Sequence, residues 1–246
     1  MRRLFCLILS VLFFLRCFGQ DTNLLNKAQQ GDVNAQNSLA IFYAQNGNES
    51  KAVLWWEKAA CQNHLSAQSN LGEFYFRKSE YEKALKWIIP AATKGSPEAC
   101  LRLAQSYLNG YGISVDIQSA LDWSEKAAKA GLKNAYTLTY IIYNDYLSNK
   151  EMASIWLGRA VDVGEPEALT IMNSLGLEEM AKGNVDKGLK YFMRAADNGF
   201  SEAQYNVGIY YINAGQPAIA KIWIAKAAKQ NFPKAIQLLQ NRELFP

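Results

Sequence analysis

Histidine is nearly absent from this sequence, with one residue, His64, among 246. A zinc site or a catalytic triad built on imidazole has no second histidine to use. The motifs Cys-x-x-Cys, Gly-x-Ser-x-Gly, His-Glu-x-x-His and the Walker loop are missing as well. His64 follows Asn63 at a predicted turn, and we interpret it as a solvated loop residue. We therefore expect no catalytic residue, no metal and no cofactor.

The adjacent carboxylates Glu178 and Glu179 do not form an acid–base pair in this interpretation. Neighbouring residues on a helix point about 100° apart, whereas paired catalytic carboxylates must face one reacting bond. We expect both side chains to lie on a solvated face.

The first 19 residues predict a secretory signal peptide. Arg2 and Arg3 precede an apolar run from Leu4 to Leu15, which is shorter than the roughly 20 residues that span a bilayer. We expect cleavage after Gly19 and a mature protein that is periplasmic or secreted. Arg16 is unusual near a cleavage site, so an uncleaved anchor is the alternative.

Basic and acidic residues nearly balance once the leader is removed. The whole chain has 26 basic and 22 acidic residues, and the leader contains three arginines and no acid, which leaves 23 basic residues. A mature chain so close to neutral offers no basic surface for nucleic acid.

A repeated pattern fills the rest of the chain. Its first part is an alanine, an apolar residue four later, a small residue five later and a tyrosine eight later, as in AQSNLGEFY. The clearest copies begin at Ala35, Ala67 and Ala203, and weaker copies begin at Ala99 and Ala135. In the copy from Ala168, the small residue and the tyrosine are missing from these places.

A second pattern follows each copy: a small residue, an aromatic residue three later, an alanine four further on and then a glycine or asparagine. The aromatic members are Trp55, Trp87, Trp123, Trp156, Tyr191 and Trp223. Successive anchor alanines from Ala35 to Ala235 lie 32, 32, 36, 33, 35 and 32 residues apart. Spacings of three, four and eight share one helical face, so each unit is predicted to be a pair of helices.

The register makes further predictions for single residues. The slot tryptophans are predicted to be core, whereas Trp56 lies off the slot and is expected to be exposed. Pro90 lies inside a second helix and predicts a kink or a lost hydrogen bond. Cys61 and Cys100 lie two units apart, so we expect free, partly buried thiols. The segments LLNKAQQGDVNA and AIQLLQNREL are predicted half units that cap six helix pairs.

The segment NGYGISVDIQSALDWSEKAAKAG, Asn109 to Gly131, is the most complete copy. Gly110 and Gly112 before a helix suggest a phosphate-binding loop, but Asp116 stands at the helix start, where it would cap the helix and repel an anion. We interpret the glycines as part of the turn inside one unit.

This segment resembles the signature of the Sel-one-like repeats, a family related to the tetratricopeptide repeats. The resemblance covers residues 24–243. It implies an all-α fold, a right-handed α-solenoid of antiparallel helix pairs, as a single domain over residues 20–246. It also implies that the first helices line a concave groove that binds a protein or peptide.

By analogy with tetratricopeptide arrays, the groove is predicted from first-helix positions. The candidate partner-binding residues are Phe76, Arg77, Arg102, Gln105, Leu108, Ile141 and Asp145. Arg77 and Arg102 are offered as forks that recognise carboxylates. The alternative is that tight superhelical curvature buries these side chains against the next first helix.

The leading hypothesis is an exported, monomeric, non-enzymatic module that binds a protein or peptide of unknown identity. It has no nucleic-acid partner and touches a membrane at most through an uncleaved leader. A narrower form, implied by the resemblance, is a periplasmic immunity protein that neutralises a secreted, type VI-like lipase effector. A cell-wall hydrolase and a structural scaffold of an envelope assembly are the alternatives.

Overall fold

The computed structural model describes residues 23–241 and 244–245. The predicted signal peptide and its cleavage site lie outside these residues. A helical segment, α1, covers residues 23–29. It is followed by α2 (Val33–Gln45), α3 (Glu49–Cys61), α4 (Leu65–Arg77), α5 (Tyr81–Thr93), α6 (Pro97–Asn109), α7 (Ile117–Lys129), α8 (Lys133–Ile141), α9 (Lys150–Asp162), α10 (Pro166–Ala181), α11 (Val185–Asp197), α12 (Ser201–Asn213), α13 (Pro217–Lys229) and α14 (Pro233–Leu239).

The chain divides into two compact units, one ending at Ala127 and one beginning at Ala128. In the first unit, α2 packs on α3, α4 packs on α5 and α4 also contacts α6. In the second, α8 packs on α9, α10 on α11 and α12 on α13, and α8 also contacts α10. In each unit, therefore, one first helix, α4 or α8, packs both on its own second helix and on the next first helix. This confirms the predicted all-α solenoid class built from helix pairs.

Every pair except α10–α11 is closed by a backbone hydrogen bond to a tyrosine. The carbonyl of the tyrosine at the eighth position accepts a hydrogen bond from the N–H of the residue immediately before the second helix. The donors and acceptors are Asn48 to Tyr43, Glu80 to Tyr75, Asp116 to Tyr107, Asn149 to Tyr143 and Gln216 to Tyr211, at 2.8–3.0 Å. This bond fixes the point at which the chain turns from the first helix into the second.

The three anchor spacings that differ from 32 have separate structural causes. The spacing of 36 comes from a longer loop between α6 and α7. The spacing of 33 comes from a π-helical turn, Ile142–Tyr146, at the end of α8, because the wider turn holds an extra residue inside a helix. The spacing of 35 comes from α10, which has 16 residues, whereas α2, α4, α6 and α12 have 13 each.

The longer α10 corrects the predicted register of the fifth unit. At its start, Glu165 accepts a hydrogen bond from the N–H of Ala168 at 2.7 Å, in register with that anchor. At its end, the carbonyl of Glu179 accepts from the N–H of Asn184 at 2.9 Å, the bond that a tyrosine makes elsewhere. Gly176 is therefore the small residue of this unit, and Glu179 occupies the tyrosine position. The expectation that the small residue is lost was wrong, because Gly176 lies three residues after the position counted from Ala168.

Glycines at the small position let paired helices approach closely. A Cβ atom built on Gly208 would lie 2.4 Å from Cδ1 of Ile224, and one built on Gly176 would lie 2.6 Å from the ring of Phe192. Both distances are far below van der Waals contact, so any larger residue would force the second helix outward.

Trp56 is buried, with 7% of its surface exposed, so the expectation of exposure was wrong. Its ring packs against that of Phe74, with the centroids 6.3 Å apart. The position is four residues after the small residue of the second helix. Other units bury an apolar side chain there: Ile88, Leu157, Phe192 and Ile224.

Other single-residue expectations are refined. His64 is not a freely solvated residue, because it caps α4: its Nδ1 atom accepts from the N–H of Ala67 at 3.1 Å. Both thiols are free, but Cys61 is exposed and Cys100 is buried. Burial raises the pKa of the Cys100 thiol. Helix α5 continues through Pro90 to Thr93.

Candidate functional site

The glycine-bearing loop between α6 and α7 is a packing element of the first unit. Gly110 and Gly112 have φ values of 73° and 70°, which favour glycine. A Cβ atom on Gly112 would lie 2.9 Å from Cβ of Tyr81, and the ring of Tyr111 stacks on that of Tyr81 at 4.6 Å. The loop therefore packs against the start of α5, in the preceding helix pair.

Asp116 caps α7 from this loop, as predicted. Its carboxylate accepts hydrogen bonds from the hydroxyl of Ser119 at 2.7 Å and from the N–H of the same residue at 3.1 Å. These hydrogen bonds lower the pKa of Asp116 below its ordinary value. A fixed negative charge at this helix start is the opposite of what a phosphate site requires.

Four side chains of α4 and α6 form a connected group, which we call the α4–α6 cluster: Glu73, Phe76, Arg102 and Gln105. Arg102 donates from Nε and Nη2 to the carboxylate of Glu73, at 2.5 and 2.8 Å, and from Nη1 to Oε1 of Gln105 at 2.8 Å. Its guanidinium also lies 5.0 Å from the ring centroid of Phe76. The cluster brings three of the predicted groove residues together and adds Glu73, which is not one of the seven predicted candidates.

Arg77 lies at the exposed end of α4. It lines a hollow of about 290 Å³ together with Glu49, Trp56 and Asn70. Glu49 is paired with Lys78 at 2.8 Å, and no ion pair of Arg77 is present among the described residues. Arg77 is thus a guanidinium without an internal carboxylate, whereas that of Arg102 is fully engaged.

The remaining candidates differ in accessibility. Leu108 is 7% exposed, so it packs inside the first unit and does not offer a contact surface. Its burial agrees with the alternative given for the groove residues. In the second unit, Ile141 is half-buried at the end of α8, and Asp145 is exposed in the π-helical turn. Asp145 accepts a hydrogen bond from Asn144 at 2.6 Å. A role of these residues in binding stays a prediction.

Glu178 and Glu179 have different environments, and the expectation of a common solvated face was wrong. Glu178 is exposed and pairs with Lys182. Glu179 is 8% exposed, accepts a hydrogen bond from Asn184 at 2.9 Å and lies 3.3 Å from Nζ of Lys187. The hydrogen bond from Asn184, followed by the lysines, lowers the pKa of Glu179.

Both carboxylates line a cleft of about 650 Å³ in the second unit, which sequence reasoning missed. It is bordered by the end of α8 and by α9, α10 and α11. Its lining residues are Tyr140, Asn144, Lys150, Ala153, Ser154, Leu157, Met172, Leu175, Glu178, Glu179, Lys187, Lys190, Tyr191 and Arg194. The π-helical turn and the extended α10 both contribute to this border, so the cleft lies where the repeat is least regular.

The described part of the chain has neither a metal-binding cluster nor a helix that could span a membrane. It has no group of three or more histidine, cysteine, aspartate or glutamate side chains that could hold a metal ion. Over the same residues, no helix combines the length and the apolar character needed to cross a membrane.

Helix pairs that repeat every 32 to 36 residues, mostly closed by a hydrogen bond to a tyrosine carbonyl and packed through small residues, define a repeat protein of the tetratricopeptide type. The model of the Sel1 repeat matches residues 33–64, 65–96, 97–132, 171–200 and 201–232. The chain is 31% identical over 238 residues to the Sel1-repeat-containing protein YjcO of Escherichia coli K12, which covers 90% of this chain and 87% of the relative. The chain belongs to the Sel1-repeat family.

Solved structures agree with this assignment. A Sel1 repeat protein from Oxalobacter formigenes is 27% identical, with a TM-score of 0.65 over 88% of this chain and 68% of the other. The uropathogenic E. coli protein c5321, described as a protective antigen with an SLR fold, is 24% identical, with a TM-score of 0.67 over 86% of this chain and 49% of the other. Repeats of this kind are a general scaffold for protein interactions and are typically non-catalytic.

The family match leaves one stretch of the chain uncovered. The fourth matched segment begins at residue 171, and residues 133–170 lie between two matches. The unmatched stretch contains the π-helical turn and α9, which border the cleft.

Proposed function

We propose that this protein is an exported, non-enzymatic module that binds a protein or peptide partner on the surface formed by its first helices. The observation that carries the proposal is the α4–α6 cluster. Packing between helices is supplied by the alanines, glycines and slot aromatics. A bidentate ion pair beside an aromatic ring on two first helices is not needed for that packing.

The cluster has the composition of a protein-binding surface. Arginine and aromatic residues are enriched among the side chains that dominate binding energies. Arg102 holds Glu73 and Gln105 in fixed positions, so little side-chain entropy is lost when a partner binds. Arg77, one residue after Phe76, adds a guanidinium that has no ion pair within the described residues and can bind a carboxylate of the partner.

Export is supported by the sequence of residues 1–19. The intact mass of the protein recovered from the periplasmic fraction tests it. We expect the mass of residues 20–246; the mass of the full chain would instead indicate an uncleaved anchor.

Partner capture tests the binding function. The tagged full chain, with its leader, is expressed in the cells that make it and recovered under mild conditions. We expect a stoichiometric partner that is depleted about tenfold when the variant Arg77→Glu is used. Lys86→Glu is the matched control, because Lys86 is exposed on the second helix α5. Repeated absence of any stoichiometric partner would refute the proposal.

A further inference from the structure

The cleft of the second unit has an apolar floor and a charged rim. Ala153, Leu157 and Met172 line it and are each at most 3% exposed. Its charged lining consists of the four cations Lys150, Lys187, Lys190 and Arg194 and the two carboxylates Glu178 and Glu179. Such a combination suits a ligand with both an apolar part and negative charge.

The carboxylates of the cleft are already neutralised within the chain. Lys182 pairs with Glu178, and Lys187 pairs with Glu179. Lys190 is exposed and forms no ion pair in the described part of the chain. Lys150 donates to Oδ1 of Asn144 at 2.9 Å, a neutral acceptor. Arg194 is paired with Asp162, so the excess positive charge of the rim is carried by Lys150 and Lys190.

The guanidinium of Arg194 packs against a glycine of α9, Gly158. A Cβ atom on Gly158, inside α9, would lie 2.7 Å from Nη2 and 2.9 Å from Nη1 of Arg194. Glycine destabilises the interior of a helix relative to alanine, so its presence here is explained by the space that the guanidinium takes. Nη2 donates to both oxygens of Asp162 at 3.1 Å. Nε and Nη1 have no acceptor among the described residues, so each can still donate one hydrogen bond to a ligand.

Tyrosine hydroxyls add neutral donors to the same cleft. Tyr140 and Tyr191 both line it. Burial, followed by the nearby charge of Asp145 and the neighbouring Tyr191, raises the pKa of Tyr140. The hydroxyl of Tyr140 therefore keeps its proton at neutral pH and can donate to an anionic ligand.

We propose that this cleft binds an acidic peptide segment of a protein partner, with an apolar side chain on the floor and a carboxylate against Arg194 and Lys190. The inference rests on the proposed protein-binding function and adds a second site to it, in the other compact unit. The positive charges of Lys150 and Lys190 and the unused Nε and Nη1 donors of Arg194 favour a carboxylate over a neutral peptide.

Titration of the full chain with labelled peptides tests this site. The probe is a short fluorescent peptide of glutamates on both sides of one leucine, and its matched control has glutamine in place of glutamate. Anisotropy measures binding at physiological ionic strength, which screens weak surface attraction. We expect saturable binding of the glutamate peptide and about tenfold weaker binding of the glutamine peptide.

Two variants and a control localise the binding. Lys190→Glu reverses an exposed charge without touching the core, and Arg194→Ala removes the guanidinium. Both are expected to weaken binding of the glutamate peptide about tenfold. Lys133→Glu is the matched control, because Lys133 is an exposed lysine of the same unit that does not line the cleft. It is expected to leave binding within about twofold of the parent chain.

Three results would overturn the site: no saturable binding, equal binding of both peptides, or equal loss in Lys133→Glu and Lys190→Glu, which would indicate unspecific charge attraction. The outcome can be separated from that of partner capture. A captured partner that binds the Lys190→Glu variant as tightly as the parent chain would contradict binding in the cleft and support the proposed function. Saturable peptide binding in the cleft without any captured partner would support the peptide site and contradict the proposed function.

Discussion

Nζ of Lys187 lies 3.3 Å from Oε2 of Glu179 in the second compact unit. In the first unit, the lysine at the equivalent position, Lys83, lies over the ring of Tyr75 at 5.6 Å from its centroid. The repeat thus keeps a lysine beside this position while the residue opposite changes from tyrosine to glutamate. A cation–π contact is replaced by an ion pair, and the backbone bond that closes the helix pair is retained.

Glu179→Gln tests the pH dependence of this ion pair. The folded pKa of Glu179 lies below its ordinary value of 4.5, so the carboxylate stabilises the folded chain above about pH 4.5. That contribution is lost as the pH falls through the folded pKa. The free energy of unfolding of the parent chain is therefore expected to fall more steeply from pH 7 to pH 3 than that of the variant, as measured by urea denaturation.

Glu178→Gln is the control for this measurement. Glu178 is the sequence neighbour of Glu179 but is exposed, so its replacement is expected to change the steepness less. An unchanged curve for Glu179→Gln would show that the carboxylate gains no stabilisation from Asn184 and Lys187.

Gly208→Ala tests the close approach of α12 and α13. Alanine favours a helix over glycine by about 1 kcal/mol, but its Cβ atom would lie 2.4 Å from Cδ1 of Ile224. We expect a net loss of about 1–3 kcal/mol in the free energy of unfolding. Combining it with Ile224→Val, which removes the clashing methyl group, should cost less than the sum of the two single changes. Additive losses would contradict a direct clash.

Gly112→Ala tests whether the loop before α7 is a packing element. Both Gly112 and Gly110 have positive φ, so alanine at either position is expected to cost about 1 kcal/mol of backbone strain. At Gly112 the Cβ atom would also meet Tyr81 at 2.9 Å, whereas at Gly110 the nearest atom is a side-chain methyl of Val115 at 3.2 Å. The loss at Gly112 should exceed that at Gly110 by about 1–2 kcal/mol. Equal losses in denaturation would mean that the loop does not depend on its contact with α5.

The sequence predicts the helix pairs well because each pair repeats the same physical requirement. Alanine or glycine must stand where helices approach, and an aromatic residue must fill the space beside it. Those residues recur at fixed helical spacings, so six pairs and two half units can be located without a structure. Asp116 was also predictable as a cap, because an acidic residue at a helix start has one favourable role there.

The register of α10 was not predictable in the same way. The three extra residues lie inside a helix, so no loop residue marks where they were inserted. The tyrosine that would have shown the shift is replaced by Glu179. Two signals could have found it: the pair Leu175–Gly176, which matches Leu71–Gly72, and the spacing of 35. The burial of Trp56 could have been found from the apolar residue that other units place four after the small residue.

The candidate binding residues were harder to predict because exposure depends on how neighbouring helices meet. Arg102 and Gln105 are half-buried and their role in binding stays a prediction, whereas Leu108 is buried although it occupies the same position in its helix as Phe76. The cleft of the second unit is bordered by two irregular insertions, the π-helical turn and the extended α10, and by the side chain of Arg194. None of these follows from the repeat pattern.

The measurement that tests the proposed function most directly is the affinity of the captured partner for the full chain, by titration calorimetry. We expect Arg77→Glu to weaken the affinity about tenfold or more and Lys86→Glu to change it by less than about twofold. Both variants should unfold at the same urea concentration as the parent chain. Equal affinity of the two variants for the partner would contradict binding on the first-helix surface.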